Sequence, residues 1–447
     1  MTPAARAEAA IEVLAELGGR ARPVADALKD WGLSHRFAGS GDRAAIAGLV
    51  YDALRRRASA AWIMGADTPR AVLLGTLNLA RGLDADAIVK LCDGSRYASA
   101  PLTDGERERL SASDLSGAPP HVAGDYPEWI DPYFAESFGE ERAAEGAALA
   151  ARAPLDLRVN TLKTTVEKAA AALDHMGARP ARWSPVGLRI ALEADGKQPP
   201  VTSEPSFKKG WYEIQDEGSQ LAAILTGAAA GEQVLDLCAG SGGKTLALAA
   251  AMENRGQIFA YDDASRRLAP IHDRLKRAGA RNVQVRSPRG TKDALADLAG
   301  RIDLVLLDAP CTGTGVWRRH PDAKWRVRPG ALEIRVKEQA ALLDQAARYV
   351  KPGGRIAYVT CSVLDAENGA QVRAFLARAP GFALVPSSEF CNALGERGAI
   401  LQAAARTSAE GLLLTPRRTG TDGFFVGLVR KAGSEPDLLL AETAAIP

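Results

Sequence analysis

Apolar residues recur with helical spacing through the first third of the chain, as at Ile46, Leu49, Val50 and Leu54, and runs of β-branched residues are scarce there. This pattern predicts an all-helical domain over residues 1–146, with Asp42 as the N-cap of the helix that carries those four positions. From Pro154 the pattern changes to short strands at 155–159, 187–191 and 210–214 around a helix at 166–175, which predicts a small α+β module over 147–228. Beyond Gln233, apolar runs at 234–237, 257–261, 283–285, 302–307 and 355–359 alternate with helical segments at 244–252, 264–278 and 332–350. Such alternation predicts a parallel sheet with right-handed crossovers, an α/β doubly wound domain over 229–432. Residues 111–126, with Pro119, Pro120 and Gly124, read as a linker, and 433–447 as a loose tail.

Composition narrows the class. The 447 residues are 25% charged, no run of eighteen apolar residues occurs, and Arg6, Glu8, Glu12 and Glu16 interrupt the N-terminal pattern. Neither a membrane span nor a signal peptide fits, so a cytoplasmic location is expected. Five cysteines without a C-x-x-C pair argue against a disulfide framework and against a bound metal. Net charge is only +2, yet residues 274–328 hold 13 Lys/Arg against 5 Asp/Glu. That excess suits a polyanionic partner, while a solvated helix face accounts for it equally well.

The chemistry sits at strand ends. Cys311, in Asp308-Ala309-Pro310-Cys311, and Cys361, in Thr360-Cys361-Ser362, each follow an apolar run, where a doubly wound sheet opens onto its ligand crevice. A third run leads into Cys238-Ala239-Gly240-Ser241-Gly242-Gly243-Lys244. A P-loop would need glycine at Cys238, and a dinucleotide fingerprint would need one at Thr245. The remaining reading is the first loop of an S-adenosylmethionine site. Asp262, about twenty residues on, then accepts hydrogen bonds from the ribose hydroxyls or caps the next helix, and Asp236 braces loop amides.

These segments resemble the NOL1/NOP2/Sun family of RNA cytosine-5 methyltransferases. The resemblance also rests on Arg158-Val159-Asn160, Gln215-Asp216-Glu217-Gly218-Ser219-Gln220, Arg318-Arg319-His320-Pro321-Asp322 and Asp422-Gly423-Phe424-Phe425. It implies a Rossmann-like class I methyltransferase domain behind an RRM-like module and a NusB-like helical domain. The helical part rests mainly on residues 42–51, as in the bacterial branch that modifies 16S ribosomal RNA. By the same resemblance Cys361 is the nucleophile, Cys311 assists elimination, and Asp308 holds the cytosine edge with Lys244 as its charge partner. The loop from Cys238 to Lys244, with Asp262 and Asp308, would hold S-adenosylmethionine. Arg158, Asn160, Arg318, Arg319 and Lys324 would touch RNA, and Trp317 or Trp325 would stack on a base or fill core. A monomer is expected. Ser241 stands where the family has proline, and Arg286 where an aspartate near the adenine is usual. A tRNA methyltransferase and a non-catalytic RNA-binding assembly factor are the competing functions.

Overall fold

The computed structural model describes residues 1–19, 22–192, 199–288 and 293–433. The expected loose tail therefore lies almost wholly outside the described residues, as does Arg289. The chain forms two compact units: Met1–Arg152 with Val316–Pro329, and Ala153–Gly315 with Gly330–Pro447.

The second unit contains two sheets. Strands β1 (Leu155–Val159), β2 (Arg179–Pro180), β3 (Gly187–Ile190) and β4 (Tyr212–Ile214) form an antiparallel sheet in the order β2-β3-β1-β4. The larger sheet uses β5 (Gln233–Asp236), β6 (Gln257–Tyr261), β7 (Val283–Arg286), β8 (Ile302–Asp308), β9 (Val350–Thr360), β10 (Phe382–Val385), β11 (Arg406–Thr407), β12 (Leu412–Leu414) and β13 (Phe424–Lys431). Its order is β11-β12-β13-β9-β8-β5-β6-β7, with β10 also on β13. The stretch from β7 to β9 is parallel, and β13 runs antiparallel to β9. This is a Rossmann-like α/β sheet, and strand order reverses between β5 and β8, where the crevice opens. The small module is tied to the large one by Asn160, whose Nδ2 donates to Gly210 O at 2.9 Å and Ala278 O at 2.8 Å.

Two local expectations change. The helix expected over 264–278 is two pieces, Ser265–Leu268 and Ile271–Ala278, because Pro270 has no N–H to continue the ladder. The strand expected over 355–359 spans Val350–Thr360.

The first unit is helical throughout its described part of Met1–Arg152, and its core gathers Val13, Trp31, Ile46, Val50, Leu73, Leu74 and Ile88. Its helix Ser40–Arg55 starts ahead of Asp42, so Gly39 is the N-cap; Asp42 instead takes the Arg6 guanidinium at 2.8 Å. This corrects the capping role expected of Asp42. The segment Val316–Pro329 belongs to this unit although it follows β8 in the chain. Trp317 is buried and stacks on Phe134, with centroids 5.8 Å apart, and Trp325 Nε1 donates to Leu54 O at 2.6 Å. Trp317 thus fills core, while Trp325 is partly buried against it.

Candidate active site

The carboxyl ends of β5, β8 and β9 supply the floor of a cleft of about 500 Å³, lined by the loop from Cys238 to Lys244 together with Asp236, Asp308, Cys311 and Cys361. Strand pairing explains the convergence. β8 and β9 are parallel neighbours in a register that sets Asp308 beside Val359, so the turns that follow them emerge side by side. Cys311 Sγ and Cys361 Sγ lie 3.3 Å apart and are hydrogen-bonded. The two turns are sewn together by Gly315 N donating to Cys361 O at 2.9 Å and Val363 N donating to Thr314 Oγ1 at 2.9 Å. Gly315 must be glycine, because a Cβ there would stand 2.2 Å from Gly423 O.

The thiols differ in environment. The hydrogen bond to Cys361, then burial, then charge repulsion from Cys361 and Glu367 hold the Cys311 thiol well above the usual thiol range. Cys311 therefore keeps its proton, and either sulfur can donate in the hydrogen bond between them. Burial, followed by repulsion from Asp236 and Asp308, likewise keeps Cys238 a thiol.

Beside the thiols, Lys244 Nζ donates to Asp308 Oδ2 at 2.6 Å, and the ammonium sits 5.0 Å from the centre of the Phe424 ring. Lys244 reaches this place because the helix Gly243–Ala251 begins directly after the loop, with Gly242 as its N-cap at φ 86°. Only glycine adopts that conformation without cost. Ser241, at the usual proline position, is secured differently: Arg274 Nη1 donates to its carbonyl at 2.8 Å and its hydroxyl at 2.9 Å.

The two acidic residues beside the loop take different partners. Asp262 is buried, and its two oxygens accept from Gly240 N and Ala264 N, each at 3.0 Å. Bracing of the loop thus falls to Asp262. Asp236 accepts from Thr245 Oγ1 at 2.6 Å through Oδ2, while its buried Oδ1 has no partner. Burial pushes the Asp236 carboxyl up to about 7. An orphaned carboxylate oxygen in a cleft, beneath a loop with left-handed glycines at 240 and 242, fits a ligand that carries an ammonium or sulfonium group. S-adenosylmethionine carries both. Arg286 offers no acceptor for an adenine; its guanidinium pairs with Asp297 at 2.9 Å.

Of the five residues expected to touch RNA, four are buried. Arg158 is buried, with Nε donating to Gln215 Oε1 at 2.6 Å, and Asn160 is the buried tie described above. Lys324 is buried in the helical unit, its ammonium on Asp125 O at 2.6 Å and Arg55 O at 2.9 Å. Arg318 is buried as well, and Arg319 is half-buried. Through these contacts Arg158, Asn160 and Lys324 hold the fold. Sequence reasoning missed the reason: positive charges that cluster in sequence are consumed by carbonyls and carboxylates that only folding brings near. It also passed over Glu367 and Asn368, six and seven residues beyond Cys361, which grip the two cysteine turns.

Among the described residues no group of side chains is arranged to hold a metal, and no helix is long and apolar enough to cross a membrane. The family described as 16S rRNA methyltransferase RsmB/F matches residues 223–430, and the ferredoxin-like domain described for RsmF/B matches residues 126–195. The chain is 33% identical over 366 residues to the ribosomal RNA small subunit methyltransferase B of Sodalis glossinidius (strain morsitans), an alignment covering 80% of this chain and 76% of that protein. It is 31% identical over 308 residues to a probable ribosomal RNA small subunit methyltransferase B of Synechocystis sp., covering 69% and 67% respectively. The crystal structure of PH0851 superposes with a TM-score of 0.68 at 25% identity, over 96% of this chain and 99% of that one. Fold, cleft and relatives agree: the chain belongs to the 16S rRNA methyltransferase RsmB/F family, whose methyl donor is S-adenosylmethionine.

Proposed function

We propose that this protein is an RNA cytosine-5 methyltransferase acting on 16S ribosomal RNA through a covalent bond between Cys361 and C6 of the target cytosine. The observation that carries the reading is the thiol pair, 3.3 Å apart at the ends of adjacent parallel strands and beside the Lys244–Asp308 ion pair. Cytosine C5 is a weak nucleophile, and a chain that only bound RNA would need neither thiol. Addition of the Cys361 thiolate to C6 breaks the C5–C6 double bond and places electron density on C5, N3 and O2. Lys244 offsets that charge, and the Asp308 carboxylate holds the exocyclic amine. S-adenosylmethionine, when bound, would supply an electrophilic methyl group to C5, the S–CH3 bond breaking to leave neutral S-adenosylhomocysteine. Loss of the C5 proton to water then restores the double bond as the C6–S bond breaks. Cys311, as a thiol, donates its hydrogen bond to the departing Cys361 sulfur, so elimination leaves a stabilised thiolate. The loop from Cys238 to Lys244, with Asp236 and Asp262, holds the methyl donor, Asp262 through a remaining lone pair toward the ribose.

The test is base-resolution mapping of 5-methylcytosine on 16S RNA treated with the protein and S-adenosylmethionine. One modified cytosine is expected, absent with Cys361→Ala. Modification of another base or another ring position, or full activity of Cys361→Ala, would overturn the proposal.

A further inference from the structure

The turns that carry the two thiols are gripped from behind by adjacent residues that take no part in the chemistry above. Glu367 is fully buried. Its Oε1 accepts from Thr312 N at 2.8 Å and Gln339 Nε2 at 3.0 Å, and its Oε2 accepts from Thr312 Oγ1 at 2.5 Å. Gln339 Nε2 also donates to Pro310 O at 3.0 Å, so the peptide groups on both sides of Cys311 are fixed through one carboxylate and one amide. Glu367 thus accepts three hydrogen bonds on its two oxygens. Asn368 grips the other turn: Thr360 Oγ1 donates to its Oδ1 at 2.5 Å, and its Nδ2 donates to Ser362 O at 3.0 Å. Cys361 lies between those two contacts. The backbone beneath the pair is itself held, since Tyr358 in β9 donates its hydroxyl to Glu367 O at 2.6 Å.

We infer that Glu367 and Asn368 are positioning residues for the thiol pair, with Glu367 fixing the turn of Cys311 and Asn368 aiming Cys361 at the substrate. The inference rests on the methyltransferase reading for what the thiols do, but not for how they are held. Six groups face Cys311: Asp308 at the end of β8, Lys244 on the helix Gly243–Ala251, Arg335 on the helix Ala331–Tyr349, Tyr358 and Cys361 from β9 and the turn after it, and Glu367. Lys244 is already paired with Asp308, and Arg335 with Glu338. The hydrogen bond with Cys361 and burial hold the Cys311 thiol above its usual range, and repulsion from the buried Glu367 adds to them. Separate anchors for two sulfurs allow one to ionise while its neighbour keeps its proton.

The decisive experiment needs neither RNA nor turnover, so its failure is distinguishable from failure of the proposed activity. Iodoacetamide labelling of Cys311 is followed against pH by peptide mass spectrometry in full-length Cys361→Ala and in Cys361→Ala with Glu367→Gln. Loss of the carboxylate should move labelling to lower pH and speed it about tenfold at pH 8. Coincident profiles in two folded proteins would overturn the role of Glu367. In the otherwise native chain, Asn368→Ala should leave cofactor affinity unchanged and slow first-turnover formation of the RNA adduct at Cys361 about tenfold. Adduct formation at the native rate would overturn the role of Asn368. Should Glu367→Gln not fold, Thr312→Ala removes only the hydroxyl donor. Hydrogen exchange at the residue-312 amide should then quicken and RNA adduct accumulate, and native exchange without adduct would overturn the clamp.

Discussion

At the scale of single residues the site is a set of charges and thiols given unequal surroundings. Cys361→Ala should abolish methyl transfer while calorimetry records an unchanged dissociation constant for S-adenosylmethionine, because the thiolate serves the base and not the donor loop. Loss of cofactor binding together with activity would assign Cys361 to the loop instead. Asp236 gives a pH signature. Its carboxyl titrates near 7 in the folded chain against about 3.9 when unfolded, so between those values the folded state holds a proton that the unfolded state lacks. Its contribution to stability is therefore greatest at low pH and falls as pH rises from about 4 to 7. Denaturation midpoints across that window should decline less in Asp236→Asn than in the parent; parallel curves would contradict the assignment. The two cysteines and Asp308 were legible from the sequence because each ends an apolar run. The bracing by Asp262 and the free oxygen of Asp236 were not, since both depend on where the loop's N–H groups point.

At the scale of elements, alternating strands and helices were legible from apolar runs alone, and the parallel core from β5 to β9 follows that pattern. The edge beyond β9 was missed. Strands β10 to β13 are short or lie after glycine-rich turns, and their pairing is antiparallel, outside the parallel order that the alternation predicts. The loop after β5 shows a substitution answered elsewhere: where proline would stiffen position 241, Arg274 binds Ser241 twice and is itself held by Glu213 at 3.0 Å. Arg274→Ala should therefore loosen the loop, costing about 1 kcal/mol, roughly fivefold in cofactor affinity. Calorimetric titration checks this, and an unchanged affinity would show the loop to be rigid without it.

At the scale of the whole molecule, the basic run after Cys311 suits a polyanionic partner by its sequence, yet Arg318 and Lys324 within it are buried. Lys324 shows why. Burial lowers its ammonium to about 7, and two main-chain carbonyls hold it. Lys324→Met would leave those carbonyls unsatisfied, at about 1–3 kcal/mol each. Hydrogen exchange over Val316–Pro329 should then rise in the full chain. Unchanged exchange would mean that the segment is held without Lys324. The central claim, a covalent route through Cys361, is tested most directly by trapping. Full-length Cys311→Ala incubated with 16S RNA and S-adenosylmethionine should give a slow-migrating protein–RNA band on a denaturing gel, and digestion should yield a methylated cytosine attached to Cys361. No band with Cys311→Ala, or attachment through any residue other than Cys361, would contradict the account.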